Sequence, residues 1–124
     1  MSTPANTPQN KRAIAVAPSR LRVVVTSQAN RELLSVMERL GEENLTAALR
    51  FVQAFDETTD LLAHNPYLGT LWPSKRHEGI RYRSIRGFEV YLIFYQSSSD
   101  TLTVAHVLHG HRDLPHIVDE NDSA

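Results

Sequence analysis

The chain contains no cysteine. That excludes a disulfide scaffold, a thiol nucleophile and any zinc site built on thiolates. Long apolar runs are missing too, and nothing approaches the roughly 18–20 residues that a membrane-spanning helix requires. Near the N-terminus Lys11 and Arg12 precede only a short apolar stretch, Ala13–Ala17, before Pro18. That is too little for the core of a signal peptide. Charge of one sign is also lacking: 13 Lys+Arg stand against 14 Asp+Glu, a formal net charge of −1. Such a chain has no global field to draw it to nucleic acid or to an anionic membrane, so neither strong direct nucleic-acid binding nor a membrane partner is expected. There is no Gly-rich phosphate loop, nucleophile elbow or His-Glu-x-x-His motif. No cofactor and no metal site are expected. What is left is a soluble cytoplasmic protein whose 124 residues suffice for one domain.

The charge that is present is unevenly spread. Residues 27–64 carry seven acids against Arg31, Arg39 and Arg50. Residues 66–95 carry Lys75, Arg76, Arg81, Arg83 and Arg86 against Glu78 and Glu89. A basic segment beside an acidic one points weakly to an acidic partner, and equally to a solvated face.

Residues 1–20 mix Ser, Thr, Asn and Gln with three prolines and few large apolar groups, the composition of a disordered tail. Residues 118–124 read as a second, acidic tail, which leaves 21–117 as the folded domain. Leu21–Val25 is a β-branched run that reads as a strand. Thr26 or Ser27 can cap a helix, and Ala29, Leu33, Val36, Met37 and Leu40 follow at helical spacing. Gly41 is the expected stop. A second helix then begins near Glu42-Glu43, with Leu45, Ala48, Leu49, Val52, Phe55 and Leu62 as its apolar stripe, interrupted at Thr59 and ended by Pro66. Asn65–Gly79 reads as a loop. Beyond it the period becomes two: Ile80–Ile85, Phe88–Tyr95 and Thr101–Leu108 are strands joined by short links, which demand antiparallel neighbours. The fold class is α+β, of order β-α-α-β-β-β, with a helical hairpin packed on one face of a small antiparallel sheet.

The middle strand is apolar on both sides. Phe88, Val90, Leu92 and Phe94 make one face; Tyr91, Ile93 and Tyr95 make the other. A sheet with helices on one side normally shows water an alternating polar face. The second face therefore needs a cover, either the tails of this chain or a partner laid on Tyr91, Ile93 and Tyr95.

Candidate chemical groups are few. Arg81 and Arg83 alternate along one strand and could clamp phosphate or carboxylate groups, or could simply blunt an edge strand. His106 reads as a satisfied core histidine. His109 and His111, beside Arg112, could serve as acid and base on a phosphodiester, with Arg holding the developing charge.

Gly79-Ile80-Arg81-Tyr82-Arg83-Ser84-Ile85, Tyr91-Leu92-Ile93-Phe94-Tyr95 and Val107-Leu108-His109-Gly110-His111-Arg112-Asp113 together resemble the RelE/ParE superfamily, the toxin halves of bacterial type II toxin–antitoxin, or plasmid-stabilisation, modules. The resemblance runs from about Val23 to Leu114. It implies a compact sheet with a helical hairpin, and an antitoxin whose C-terminal part wraps the toxin. On that reading Arg81, Arg83, Tyr91, Ile93, Tyr95 and His111 are the residues expected to meet antitoxin or target. RelE-like members cleave mRNA on the ribosome, and for that activity Arg81, Arg83, His109 and Arg112 would be the catalytic candidates. RelE carries an Arg three residues before the position of Tyr95, where this chain has Leu92, and no tyrosine follows Tyr95 here. The resemblance is thus closer to ParE, which implies growth arrest through DNA gyrase and no catalytic residue. The alternatives are a ribosome-dependent endoribonuclease and an inactive homologue that serves as a binding module.

Overall fold

The computed structural model describes residues 20–74 and 78–113. The expected tails, apart from Arg20, lie outside the described residues. Five strands and two helices follow in the order β1 (Arg22–Val25), α1 (Ser27–Glu43), α2 (Leu45–His64), β2 (Thr70–Leu71), β3 (Arg81–Ile85), β4 (Phe88–Ser97) and β5 (Thr101–His109). One sheet runs β1-β5-β4-β3-β2.

The α+β order and the helical hairpin are as the sequence predicts, with two additions. The two-residue strand β2 lies inside the segment expected to be loop, pairing Thr70 with Tyr82 and Leu71 with Arg81. The first strand pairs parallel with β5, from Arg22↔Thr101 to Val25↔Val104, while the other pairings are antiparallel. The sheet is therefore mixed. The connection between this parallel pair runs through both helices and then through β2, β3 and β4, so β1 and β5 meet only after the rest of the sheet has been laid down in sequence.

Local signals explain the helices. The Thr26 hydroxyl accepts the Ala29 N–H at 3.1 Å and starts α1. The turn between helices falls at Asn44 rather than Gly41. The Asn44 N–H closes α1 on the Leu40 carbonyl, and its side chain accepts from Ala47 N–H at 3.2 Å to open α2. One Asn thus ends one helix and caps the next. Gly41 stays helical; a Cβ there would stand 3.7 Å from that of Ala48, an ordinary van der Waals contact.

The apolar stripe of α2 is rotated from the expected one. Phe51, Phe55, Leu62 and Ala48 are buried, whereas Leu45 and Leu49 are 69% and 62% exposed. Thr58 and Thr59 sit inside the buried face because their hydroxyls bond back to the carbonyls of Ala54 and Asp56.

Beneath the helices lies the main core: Phe51, Phe55 and Leu62 meet Ile85, Tyr91, Ile93, Tyr95, Leu102, Val104 and Val107. The opposite sheet face carries a smaller cluster of Ile80, Phe94 and Leu108, against which Trp72, Tyr82 and Leu92 pack. The cover sought for the second face is thus partly this chain's own Trp72 and Ile80. Phe88 belongs with the helix side, edge-on to Phe51 at 5.2 Å, because the β3–β4 register shifts between Ser84 and Ile85. The hairpin turn there places Gly87 at φ +87°, a conformation suited to glycine.

Candidate functional site

Tyr91, Ile93 and Tyr95 were expected on an open face, and the structure corrects this. They point toward the helices and are 7%, 0% and 0% exposed. Both faces of β4 are apolar, so alternation alone could not say which one the hairpin would choose. These three residues are core, and a partner cannot reach them in the folded chain.

Arg81 and Arg83 share that helix-side face, since cross-strand partners lie on one side and they pair with Tyr95 and Ile93. They lie beyond the end of α2, under the Pro66–Gly69 segment. Arg81 Nη1 donates to the Gly69 carbonyl at 2.7 Å and the Tyr67 carbonyl at 3.3 Å. Arg83 Nη1 reaches the Leu68 carbonyl at 3.5 Å, a long contact. The Tyr95 hydroxyl completes the attachment, accepting the Gly69 N–H at 2.9 Å and donating to the Pro66 carbonyl at 2.7 Å. Burial pushes the Tyr95 phenol above its usual value of 10, outweighing the Gly69 N–H and the charges of Arg81 and Arg83, which pull it down. It stays a neutral donor. Gly69 is needed at this junction because a Cβ would fall 2.5 Å from that hydroxyl and 2.8 Å from the Tyr82 carbonyl.

The histidines occupy the other end of the sheet. His109 pairs with Tyr91 across β4, and their rings meet edge-on at 5.3 Å. Its Nδ1 accepts the N–H groups of His111 and Arg112, both at 3.2 Å, which assigns the ring proton to Nε2. Asp113 closes the turn: its carboxylate accepts the His109 N–H at 2.8 Å and its own N–H donates to the His109 carbonyl. Here His109 organises a turn. His111 and Arg112 are exposed, with the His111 ring 5.8 Å from that of His109.

These groups do not converge. Arg81 pairs with Tyr95 and His109 with Tyr91, so they flank β4 on opposite sides and are offset by four residues. That offset is about 13 Å along the strand, before the strand spacings are added. Among the described residues no three His, Asp or Glu side chains gather to hold a metal ion. No helix among them is long and apolar enough to cross a membrane.

A family model described as the ParE toxin of the type II toxin–antitoxin system parDE matches residues 23–114. The chain belongs to the ParE toxin family. A solved structure titled as the chromosomal ParDE toxin–antitoxin system from P. aeruginosa shares the fold, with a TM-score of 0.61 at 15% identity. The match covers 74% of this chain and 98% of that one. No curated protein matches this sequence. Membership of the ParE family places the chain, as the resemblance implied, in the RelE/ParE superfamily on the ParE side, and implies an antitoxin as partner.

Two features escaped the sequence. Glu32 on α1 bonds to the exposed edge of β5, accepting the Val107 N–H at 2.9 Å and approaching His106 Nδ1 at 3.2 Å. His106 is thus satisfied by a carboxylate at the sheet edge. The carboxylate pKa is lowered: burial pushes it up, but the bonds from His106, Gln28 and Val107, with the His106 charge, outweigh it. With Arg39 and Arg112 these residues line a groove of about 540 Å³. The second feature is Tyr67, 76% exposed, with the Arg81 guanidinium 5.1 Å from its ring centre. Its position in a stretch read as plain loop hid it.

Proposed function

We propose that this ParE-family chain is a growth-arresting toxin that acts on DNA gyrase and is neutralised by a cognate antitoxin, as in a plasmid-stabilisation module. The observation that supports gyrase over mRNA cleavage is the placement of Arg81, Arg83 and His109. Nη1 of each arginine is aimed at the carbonyls of residues 67–69, and His109 Nδ1 is occupied by two backbone N–H groups. Cleavage of a phosphodiester needs a base, an acid and a cation around one phosphate. Arg81 and Arg83 lie across β4 from His109, offset along it by about 13 Å and about 7 Å, and do not close around one phosphate with it. The test is a supercoiling assay with purified toxin. Inhibition of gyrase, or accumulation of gyrase-dependent DNA breaks, is expected, and the antitoxin should reverse it. Unaffected gyrase together with cleaved ribosome-bound mRNA in arrested cells would replace this reading with the ribonuclease one.

A further inference from the structure

The segment joining α2 to β2 is fastened from below and apolar above. Its Pro66, Tyr67, Leu68 and Gly69 carbonyls and the Gly69 N–H are bonded by Tyr95, Arg81 and Arg83, all rooted in the sheet. Its side chains face outward: Tyr67 is 76% exposed, Leu71 55% and Leu68 43%. They form one surface. Leu71 is the cross-strand partner of Arg81 and shares its face, and the Arg81 guanidinium lies over the Tyr67 ring. An apolar surface held out on an ordered backbone marks an interaction site. Fixing the backbone in advance removes the ordering cost of binding, and Tyr and Arg are the residue types on which binding energy concentrates.

The charge identifies the partner's chemistry. Among the described residues no carboxylate pairs with Arg81 or Arg83. Their positive charge is therefore open to a partner, while Nη1 of each is directed at loop carbonyls. A guanidinium can hold phosphate or carboxylate alike, but a phosphate backbone offers nothing to the exposed Tyr67, Leu68 and Leu71 side chains, whereas a carboxylate at the rim of an apolar pocket matches charge and apolar surface together. A projecting patch also requires a pocket that exists before contact, which a folded protein has and an unfolded segment lacks.

We infer that the Tyr67–Leu68–Leu71 patch, underlain by Arg81, is the surface by which this toxin grips its growth target, a folded protein offering an apolar pocket bordered by carboxylates. The inference rests on the toxin reading above. The experiment expresses the full chain, Tyr67→Ala, Leu71→Ser and, as an exposed control elsewhere, Leu49→Ala, without antitoxin. Growth arrest, thermal melting and antitoxin affinity are measured for each. Truncating a central anchor weakens binding by about tenfold or more. Tyr67→Ala and Leu71→Ser should therefore need about tenfold more protein to arrest growth, with melting and antitoxin affinity unchanged and Leu49→Ala behaving as wild type. Undiminished arrest by both patch variants would overturn the inference while leaving the toxin reading intact. Loss of antitoxin affinity with arrest retained would overturn it by giving the patch to the antitoxin. A wild-type chain that arrests nothing would instead overturn the toxin reading, and this inference with it.

Discussion

The carboxylate of Glu32 takes the place of a strand beside Val107. β1 ends at Val25, opposite Val104; Thr26 still bonds to the Val104 and Ala105 carbonyls, and beyond it the outer edge of β5 has no strand beside it. Glu32 accepts the Val107 N–H at 2.9 Å, and Asp113 accepts the His109 N–H at 2.8 Å. The edge that would otherwise invite another chain is thereby closed by two acids.

Glu32→Ala should destabilise the fold by about 1–3 kcal/mol, because it leaves the Val107 N–H without its acceptor. A lower urea midpoint at unchanged slope checks it. The wild type should also lose stability in acid. The folded carboxyl titrates below the ordinary value of 4.5, so this contribution is present above that pH and is lost as pH falls through the lowered folded value. The Glu32→Ala variant should show a shallower acid dependence.

Tyr95→Phe deletes the hydroxyl that accepts from Gly69 and donates to Pro66. A loss of about 1–3 kcal/mol is expected from the buried N–H left unpaired, measured by chemical denaturation. Because the folded phenol titrates above 10, its hydrogen-bonded neutral form stabilises the fold below that pH, and stability should fall as pH rises through the folded value. Tyrosinate absorbance should accordingly show one late-titrating group that Tyr95→Phe removes.

Gly69→Ala should be destabilising by about 1–3 kcal/mol, since its methyl group meets the Tyr95 hydroxyl and the Tyr82 carbonyl. Tyr95→Phe/Gly69→Ala should cost less than the sum of the single changes, because both act at one contact. Thermal melting of the four chains measures the coupling.

Leu49→Ala and Tyr91→Lys separate surface from core. Leu49 is 62% exposed, so its truncation should change stability by no more than about 0.5 kcal/mol. Tyr91 packs edge-on to Phe51 at 5.3 Å and is 7% exposed. A lysine there buries a charge, and a loss of about 4 kcal/mol or more is expected. Circular dichroism at ambient temperature distinguishes the two.

Residues whose signal is local were legible in advance. Thr26 as helix cap, the short link between Ile85 and Phe88 and the period-two runs of β3, β4 and β5 depend on neighbours in the chain and stand where expected. The turn at Asn44 was misplaced by three residues because Gly41 and Asn44 both suit a helix end, and what distinguishes them is that the Asn44 side chain also caps the helix that follows. The α2 stripe was misread because Leu45 and Leu49 are as apolar as Phe51. The site residues fared worst. Arg81 and Arg83 were read as an anion clamp or an edge guard and His109 as an acid or base, whereas each also bonds to backbone, far away or around a turn, which no spacing encodes.

By itself, then, the amino-acid order determined the succession of elements, the two-sided apolarity of β4 and the kinship with ParE toxins, because these rest on local periodicity and on side-chain identity. Tertiary structure alone decided which face of β4 the hairpin covers, that β1 runs parallel beside β5, and that Tyr95 and two arginines hold a loop so that Tyr67 stands outward. Those outcomes depend on contacts between residues some 12 to 80 positions apart in the chain. Faces of equal apolarity compete there through packing volume and hydrogen-bond satisfaction, which only the assembled chain resolves.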